Sequence, residues 1–383
     1  MSFVPPGFFA FDCHPRTRIV FGLGAVERAG ELAREAGITK ALLVTDRGVL
    51  AAGHVERTRQ SLEAAGVKTT VFDNVRENPT TLDVDLCLEA ARKSAIDGII
   101  GLGGGSSMDT AKGCNFVLTN GGRMQDYWGV GKAMREMLPL IAIPTTAGTG
   151  SECQSFALIA DEKTHQKMAC GDPKAAARVA ILDPMLTVSQ PEHVAACTGI
   201  DALSHALETA VTRKRNAISR AYSREAFRLC ADSLPRALKA GDDLEGRSGM
   251  LAGAALAGLA IENSMLGAAH AAANPLTAHY GIAHGRAIGL MLGAVVRFNA
   301  EDPDARQAYE ELNFGSVDQL AAQIDGLVEL AKMPRSLAEC GIEQSSIPAL
   351  AAEAARQWTA AFNPRPVAES DFVRLFECVL GKG

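Results

Sequence analysis

Short apolar runs and longer amphipathic stretches alternate through the first half of the chain. Segments 18–21 (RIVF), 41–45 (ALLVT), 68–72 (KTTVF), 98–102 (GIIGL), 140–143 (LIAI) and 179–182 (VAIL) are rich in aliphatic and β-branched side chains and read as strands. Between them, 25–36, 58–65 and 82–95 carry apolar residues at helical spacing, and the first two stop at Gly37 and Gly66. This strand–helix rhythm predicts a parallel sheet covered by helices. Segments 156–160 and 167–169 read as a hairpin around Asp161-Glu162-Lys163. After Asp183-Pro184 the pattern changes: Ala and Leu recur at helical spacing, and 248–261 (SGMLAGAALAGLAI) is a small-residue helix suited to close packing. A boundary near residue 188 therefore separates an α/β domain, 1–188, from an all-helical domain, 189–383.

The 383 residues support this two-domain reading, since one core rarely serves so long a chain. The net charge of -6 and the absence of a dense Lys/Arg run argue against a nucleic-acid partner. The start, Met1-Ser2-Phe3-Val4-Pro5-Pro6, lacks a basic region followed by an apolar one, so no signal peptide is expected. No apolar run is long enough for a membrane span, and Glu262 ends the best candidate. The nine cysteines are scattered and form no C-x-x-C, which points to reduced thiols in a cytoplasmic protein.

Against this background two glycine-rich turns stand out. "GLGGGSSMDTAKG" (101–113) leads from a strand through three glycines and Ser106-Ser107 into a helix. Backbone amides at a helix N-terminus attract a diphosphate, and glycine lets the anion approach. Gly103, Gly104, Gly105, Ser106, Ser107 and Asp109 are the candidates there. The spacing is neither G-x-G-x-x-G nor a Walker motif; a plain strand-to-helix turn capped by serine is the competing explanation. "PTTAGTGSE" (144–152) follows another strand and offers Thr145, Thr146 and Thr149. Ligands in open parallel sheets sit at the carboxyl ends of strands, so the two loops describe one nucleotide cleft. Asp46 ends a third strand. A carboxylate there suits ribose hydroxyls and repels a 2′-phosphate, which favours NAD(H) over NADP(H); its alternative role is a helix N-cap.

The second half carries a different donor set. Asp201 and His205 stand four apart in "DALSH" and share one helical face. His270 and His284 flank "AAANPLTAHYGIA", where Pro275 and Gly281 are expected to break any single helix, so the two imidazoles come from different elements. One carboxylate with three imidazoles suits Fe(II) or Zn(II) and leaves room for a substrate oxygen. His14, His54, His165, His193 and His279 are expected to be packed or solvated. A nucleotide cleft beside such a metal set implies hydride transfer to or from an alcohol or carbonyl whose oxygen the metal polarises.

The motifs "FGLGA" (21–25), "GGGSSMDTAK" (103–112), "IPTTAGTGSE" (143–152), "GIDALSHALE" (199–208) and "AAHAAANPLTAHYGIAHG" (268–285) together resemble the iron-containing (group III) alcohol dehydrogenase family over nearly the whole chain. The resemblance implies a dehydroquinate-synthase-like fold, with an N-terminal nucleotide-binding domain and a C-terminal helical metal-binding domain. It also implies an NAD-linked alcohol dehydrogenase or aldehyde reductase and a homodimer or larger assembly; with the family's geometry Phe156, Ile261, Met265 and Leu266 would line an apolar pocket, which favours a small primary alcohol or its aldehyde over a polyol. The family's metal ligands fall on Asp201, His205, His270 and His284, its ribose-contacting lysine on Lys167 and its specificity carboxylate on Asp46. Many members place a second histidine four residues after the third ligand; here that catalytic position is Asn274, whose amide can hold an oxygen but cannot relay a proton.

Three other readings compete. A same-fold lyase or cyclase acting on a phosphorylated sugar acid needs a cluster of basic residues, yet 257–297 has only Arg286 and Arg297, and 140–156 has none. A hydroxyacid–oxoacid transhydrogenase needs an anion clamp too. A non-catalytic, metal-stabilised scaffold would have no use for a complete nucleotide cleft.

Overall fold

The computed structural model describes residues 11–164 and 166–381. His165 and the N-terminal stretch 1–6 lie outside the described residues. The chain divides into two compact units: His14–Gln190, and the chain from Pro191 on together with residues 11–13.

Six short strands form the main sheet of the first unit: β1 (Arg18–Phe21), β2 (Lys40–Val44), β3 (Lys68–Phe72), β4 (Gly98–Gly103), β6 (Leu140–Pro144) and β9 (Val179–Leu182). Their order is β1-β9-β6-β4-β2-β3 and every pairing is parallel. Successive side chains face opposite sides of a strand. Leu42, Val44, Ile99, Leu140 and Ala142 therefore enter one apolar cluster, while Ala41, Leu43, Ile100, Ile141 and Ile143 enter the other. The first cluster is closed by α4 (Thr81–Ser94) and α5 (Gly105–Asn120), the second by α1 (Ala29–Glu35) and α3 (His54–Ala64). Burial on both faces explains why these strands are nearly continuous apolar runs.

Two details differ from the sequence pattern. The stretch 25–36 splits into a 3-10 turn, Ala25–Arg28, and the shorter α1, and a one-turn helix α2 (Arg47–Ala51) follows Asp46. The hairpin of β7 (Phe156–Ala160) and β8 (Lys167–Gly171) is antiparallel as expected, but it joins β5 (Gly129–Val130) in a separate three-stranded sheet. The Phe156 ring lies where a side chain on Gly171 would stand.

The second unit is helical: α6 (Glu192–Val211), α7 (Ala217–Lys239), α8 (Leu244–Glu262), α9 (Ala268–Tyr280), α10 (His284–Asn299), α11 (Pro303–Asn313), α12 (Val317–Leu330), α13 (Ile347–Arg356) and α14 (Glu369–Cys378). The small residues of α8 serve its contact with α7. A Cβ on Gly253 would stand 2.6 Å from the Cys230 sulfur, and one on Gly249 would stand 1.9 Å from Ser233 Oγ. Pro275 does not break the chain as expected: α9 runs through it and ends at Gly281, which takes the left-handed conformation at φ 63°. The ring displaces one backbone bond, and the packing of α9 on α10 and α13 holds the helix together across it. Among the described residues no helix is long and apolar enough to cross a membrane, and no disulfide joins the nine cysteines.

Candidate active site

In the second unit α6 presents Asp201, His205 and Glu208 at i, i+4 and i+7, one stripe of a single face. His270 is the third residue of α9, and His284 is the first residue of α10, reached after the turn at Gly281. Donor atoms of Asp201, His270 and His284 all lie within 4.8 Å of one another. The Nε2 atoms of His205, His270 and His284 approach Asp201 Oδ1 at 3.4, 3.5 and 3.8 Å. His205 Nε2 lies 3.1 Å from His270 Nε2. Asp201 Oδ1 is buried and makes no hydrogen bond.

These distances fit a cation better than a hydrogen-bonded cluster. A metal about 2.0–2.2 Å from each donor spaces neighbouring donors about 3.0–3.5 Å apart. The tautomer points the same way. His270 Nδ1–H donates to Glu208 Oε2, so Nε2 is the ring nitrogen that faces Asp201 and His205. Burial alone would raise the Asp201 pKa, but the three imidazoles hold it well below the ordinary carboxylate range. Burial would lower that of His270, yet Glu208 and Asp201 together push it up to about 9. Both shifts report one condition, a dry and negative pocket that attracts positive charge. The donor set, one carboxylate and three imidazoles, is chemically suited to Fe(II) or Zn(II).

Glu208 is a member of this cluster that motif reading passed over. Its Oε2 orients His270, and its Oε1 accepts from the backbone N–H of Ala269 at 2.8 Å. The signal was present in the sequence as the third member of the 201, 205, 208 stripe. Asn274, one turn beyond His270, donates through Nδ2 to Gln357 Oε1 at 3.0 Å. His279 is exposed and pairs with Glu353 Oε2 at 2.5 Å, away from the cluster. His14 and His193 are exposed, and His54 faces Ser189 Oγ.

In the first unit the loops after β2, β4 and β6 leave three adjacent strands at their carboxyl ends, where strand order reverses around β2 and β4. The N-cap of α5 is Gly104, with no side-chain cap, so Ser106 and Ser107 lie inside the first turn and serine capping is not the reason for the motif. Ser107 Oγ is buried and has no hydrogen-bond partner. An uncapped helix start with an unsatisfied hydroxyl beside it suits a phosphate oxygen. The glycines also let the loops close on each other. A Cβ on Gly105 would stand 2.8 Å from the Thr149 methyl, and one on Gly104 would stand 3.4 Å from Thr146. Thr145 N donates to the Gly103 carbonyl at 2.9 Å.

Asp46 takes the helix N-cap role. Oδ1 caps α2 by accepting from Val49 N at 3.0 Å, while Oδ2 lies 3.4 Å from where a Gly103 side chain would begin. Asp109 is buried and accepts from Ser151 Oγ at 2.8 Å. Lys112, also buried, donates to Ser151 O, Ser151 Oγ and Phe156 O at 2.6, 2.8 and 2.9 Å. Both residues thus brace the threonine loop from beneath. Burial raises the pKa of Asp109, and Lys112, Ser151 and Lys167, the last exposed at the start of β8, only partly offset that rise.

Glu152 closes that loop. Burial pushes its carboxyl up to about 7 from an ordinary 4.5, and Oε1 has no hydrogen-bond partner. Between those values the folded chain keeps a proton that the unfolded chain has released, so stability falls as pH rises across the window. Over two to three pH units this is a loss of about 3 kcal/mol. Glu152→Gln is expected to remove it. Urea unfolding at pH 5 and pH 8 should show the variant gaining on the parent at the higher pH; parallel curves for the two proteins would refute the assignment.

With this geometry in place, the chain can be set beside known proteins. Residues 15–184 match the family described as iron-containing alcohol dehydrogenase. Residues 195–380 match the C-terminal region of the Fe-containing alcohol dehydrogenase family. A choline dehydrogenase of Bacillus subtilis (strain 168) is 37% identical over 369 residues, covering 93% of this chain and 92% of that protein. The crystal structure of a 1,3-propanediol oxidoreductase superposes with a TM-score of 0.92 at 31% identity, over 97% of this chain and 100% of that one. A sulfoacetaldehyde reductase from Bifidobacterium kashiwanohense, solved in complex with NAD+, gives a TM-score of 0.91 at 28% identity, over 98% of this chain and 100% of that one.

Proposed function

This chain belongs to the iron-containing alcohol dehydrogenase family, and from that premise we propose that it interconverts a small primary alcohol and its aldehyde with NAD(H). The single observation that carries the chemistry is the convergence of three imidazole nitrogens on the buried, hydrogen-bond-free Asp201 Oδ1. The similar proteins named above are called after choline, 1,3-propanediol and sulfoacetaldehyde. They share alcohol–aldehyde chemistry while their substrates differ, and that supports the class rather than one substrate.

Asp201, His205, His270 and His284 would hold the metal, Fe(II) or Zn(II). When bound, it supplies Lewis acidity toward the substrate oxygen, and NAD(H) carries the hydride. Glu208 keeps the His270 lone pair aimed inward. The α5 amides and Ser107 would take the diphosphate, while Thr145, Thr146 and Thr149 form the neighbouring wall. Asp46 and Lys167 would hold ribose hydroxyls. Asn274 can hold a substrate or ribose oxygen, and a proton would leave through hydroxyls and water because no imidazole stands at that position. In this division 1–188 is the nucleotide domain and 189–383 the metal domain. We also place the enzyme in the cytoplasm as a homodimer or larger assembly.

The test is elemental analysis of anaerobically purified protein, paired with NADH oxidation by a short aldehyde before and after chelation. Near-stoichiometric iron or zinc is expected, with activity that falls on removal and returns on replacement. Full turnover without metal would overturn the reading. Cofactor choice tests Asp46 separately. Asp46→Gly removes the charge that repels a 2′-phosphate, so the NAD/NADP ratio of kcat/KM should fall about tenfold or more. An unchanged ratio would show that Asp46 does not face the adenosine ribose.

A further inference from the structure

The four proposed ligands ride on three helices, α6, α9 and α10, and all three are tied to one short stretch, 357–365. At the end of α6, Thr212 Oγ1 and Arg213 N donate to the Phe362 carbonyl at 2.9 and 2.8 Å. At the start of α9, Ala268 N donates to Asn363 Oδ1 at 3.2 Å. At the last residue of α10, Asn299 Oδ1 accepts from Asn363 Nδ2 at 2.7 Å. Asn363 Nδ2 also donates to the Arg365 carbonyl at 2.8 Å. Arg365 in turn donates to the Phe298 carbonyl at 3.2 Å and lies over the Phe298 ring at 4.0 Å. Gln357 holds Asn274, one turn past His270.

Asn363 is the centre of this arrangement. It is 1% exposed, and its amide spans α9 and α10 with both ends engaged. Asn299 continues the chain by donating to the buried Tyr309 hydroxyl at 3.3 Å. A fully satisfied buried amide specifies one arrangement of the groups around it, because any displacement strands a donor or an acceptor. The α9 start depends on outside partners in particular. Its N-cap, Gly267, has no side chain, so Ala268 N relies on Asn363 and Ala269 N on Glu208. A Cβ on Gly267 would stand 2.9 Å from Asn363 Oδ1 and 3.2 Å from Glu208 Oε1, so glycine is what lets both side chains reach the helix start.

We propose that Asn363 is a positioning residue for the metal site: it fixes the start of α9, where His270 stands, against the last residue of α10, the helix whose first residue is His284, and its own segment ties both helices to α6. The proposal rests on the metal reading above, and it concerns residues that touch no metal and no substrate. Its consequence is that ligand spacing, hence metal retention and coordination geometry, depends on an amide outside the donor set.

The experiment loads the purified protein with Co(II) alone and records its visible absorption spectrum, then follows Co(II) release to a chelator well below the unfolding temperature. Asn363→Ala is expected to release Co(II) about tenfold faster or more, the scale found for the partners of metal ligands. Its spectrum should be altered, and its NAD+ affinity should stay within twofold of the parent. Leu320→Ala on α12 is the control, a buried truncation that lowers stability and makes none of these bonds. Thr212→Val removes one arm and should give a smaller shift in the same direction, which keeps the test open if Asn363→Ala folds poorly. If Asn363→Ala matches the parent, or differs from it no more than Leu320→Ala does, the amide is an ordinary core group and the proposal falls. If the parent itself takes up no Co(II), the metal reading fails first, a result distinct from a parent that binds and a variant that is indifferent.

Discussion

Asp201→Asn should reduce turnover on the order of 10³-fold or more, the range expected when a Lewis acid is lost from a polar reaction. The substitution keeps the shape of the side chain and removes the only formal negative charge among the four donors. Three imidazoles remain, around an amide that carries no charge to hold a cation. Asp201 is ionised in the fold because His205, His270 and His284 surround it, overcoming the cost of its burial. A cation at this point draws on the same charge. The variant should therefore lose metal on dialysis against a weak chelator, while NAD+ affinity, measured by fluorescence titration, stays within about twofold because the nucleotide loops belong to residues 46 and 103–149. A variant that keeps both its metal and most of its activity would remove Asp201 from the site.

Gly103→Ala should produce the opposite split. Gly103 has φ 146°, a conformation L-residues rarely adopt, and its missing Cβ would stand 2.4 Å from Ser107 Oγ and 3.4 Å from Asp46 Oδ2. The strain is of the order of 1–3 kcal/mol, and relief requires the turn to move. Movement displaces the α5 amides and the Ser107 hydroxyl together, so the apparent KM for NAD+ should rise about tenfold or more. Metal content should not change. A normal NAD+ KM in a folded variant would mean that the diphosphate lies elsewhere. Together the two variants separate loss of metal from loss of nucleotide, which a single inactivating substitution cannot do.

The expectations drawn from periodicity fared well where the signal is local. All six main-sheet strands appear within a residue or two of their expected positions, because each is an apolar run buried on both faces. The Pro275 expectation failed for a tertiary reason: proline weakens a helix locally, but packing on α10 and α13 carries α9 across it. The strand that joins the hairpin in the small sheet, β5, is two residues long, too short to leave a periodic pattern.

What the sequence determined by itself is the set of elements and much of the donor chemistry. Asp201 and His205 must share a helical face, because four residues is nearly one turn. The glycines at 103–105 mark a turn between a strand and a helix, although only Gly103, at φ 146°, needs a backbone that other residues rarely adopt. Only the tertiary structure decided that His270 and His284 meet Asp201, with a turn and most of α9 between them in the chain. It also decided that Glu208 serves the ligand set rather than the surface, that Asp109 and Lys112 brace the threonine loop, and that one asparagine near the C-terminus joins the ligand helices. The physical reason is common to all of these. Helical and strand periods are written in neighbouring residues, whereas the approach of distant side chains is set by how whole faces pack, and no short window of sequence contains that information.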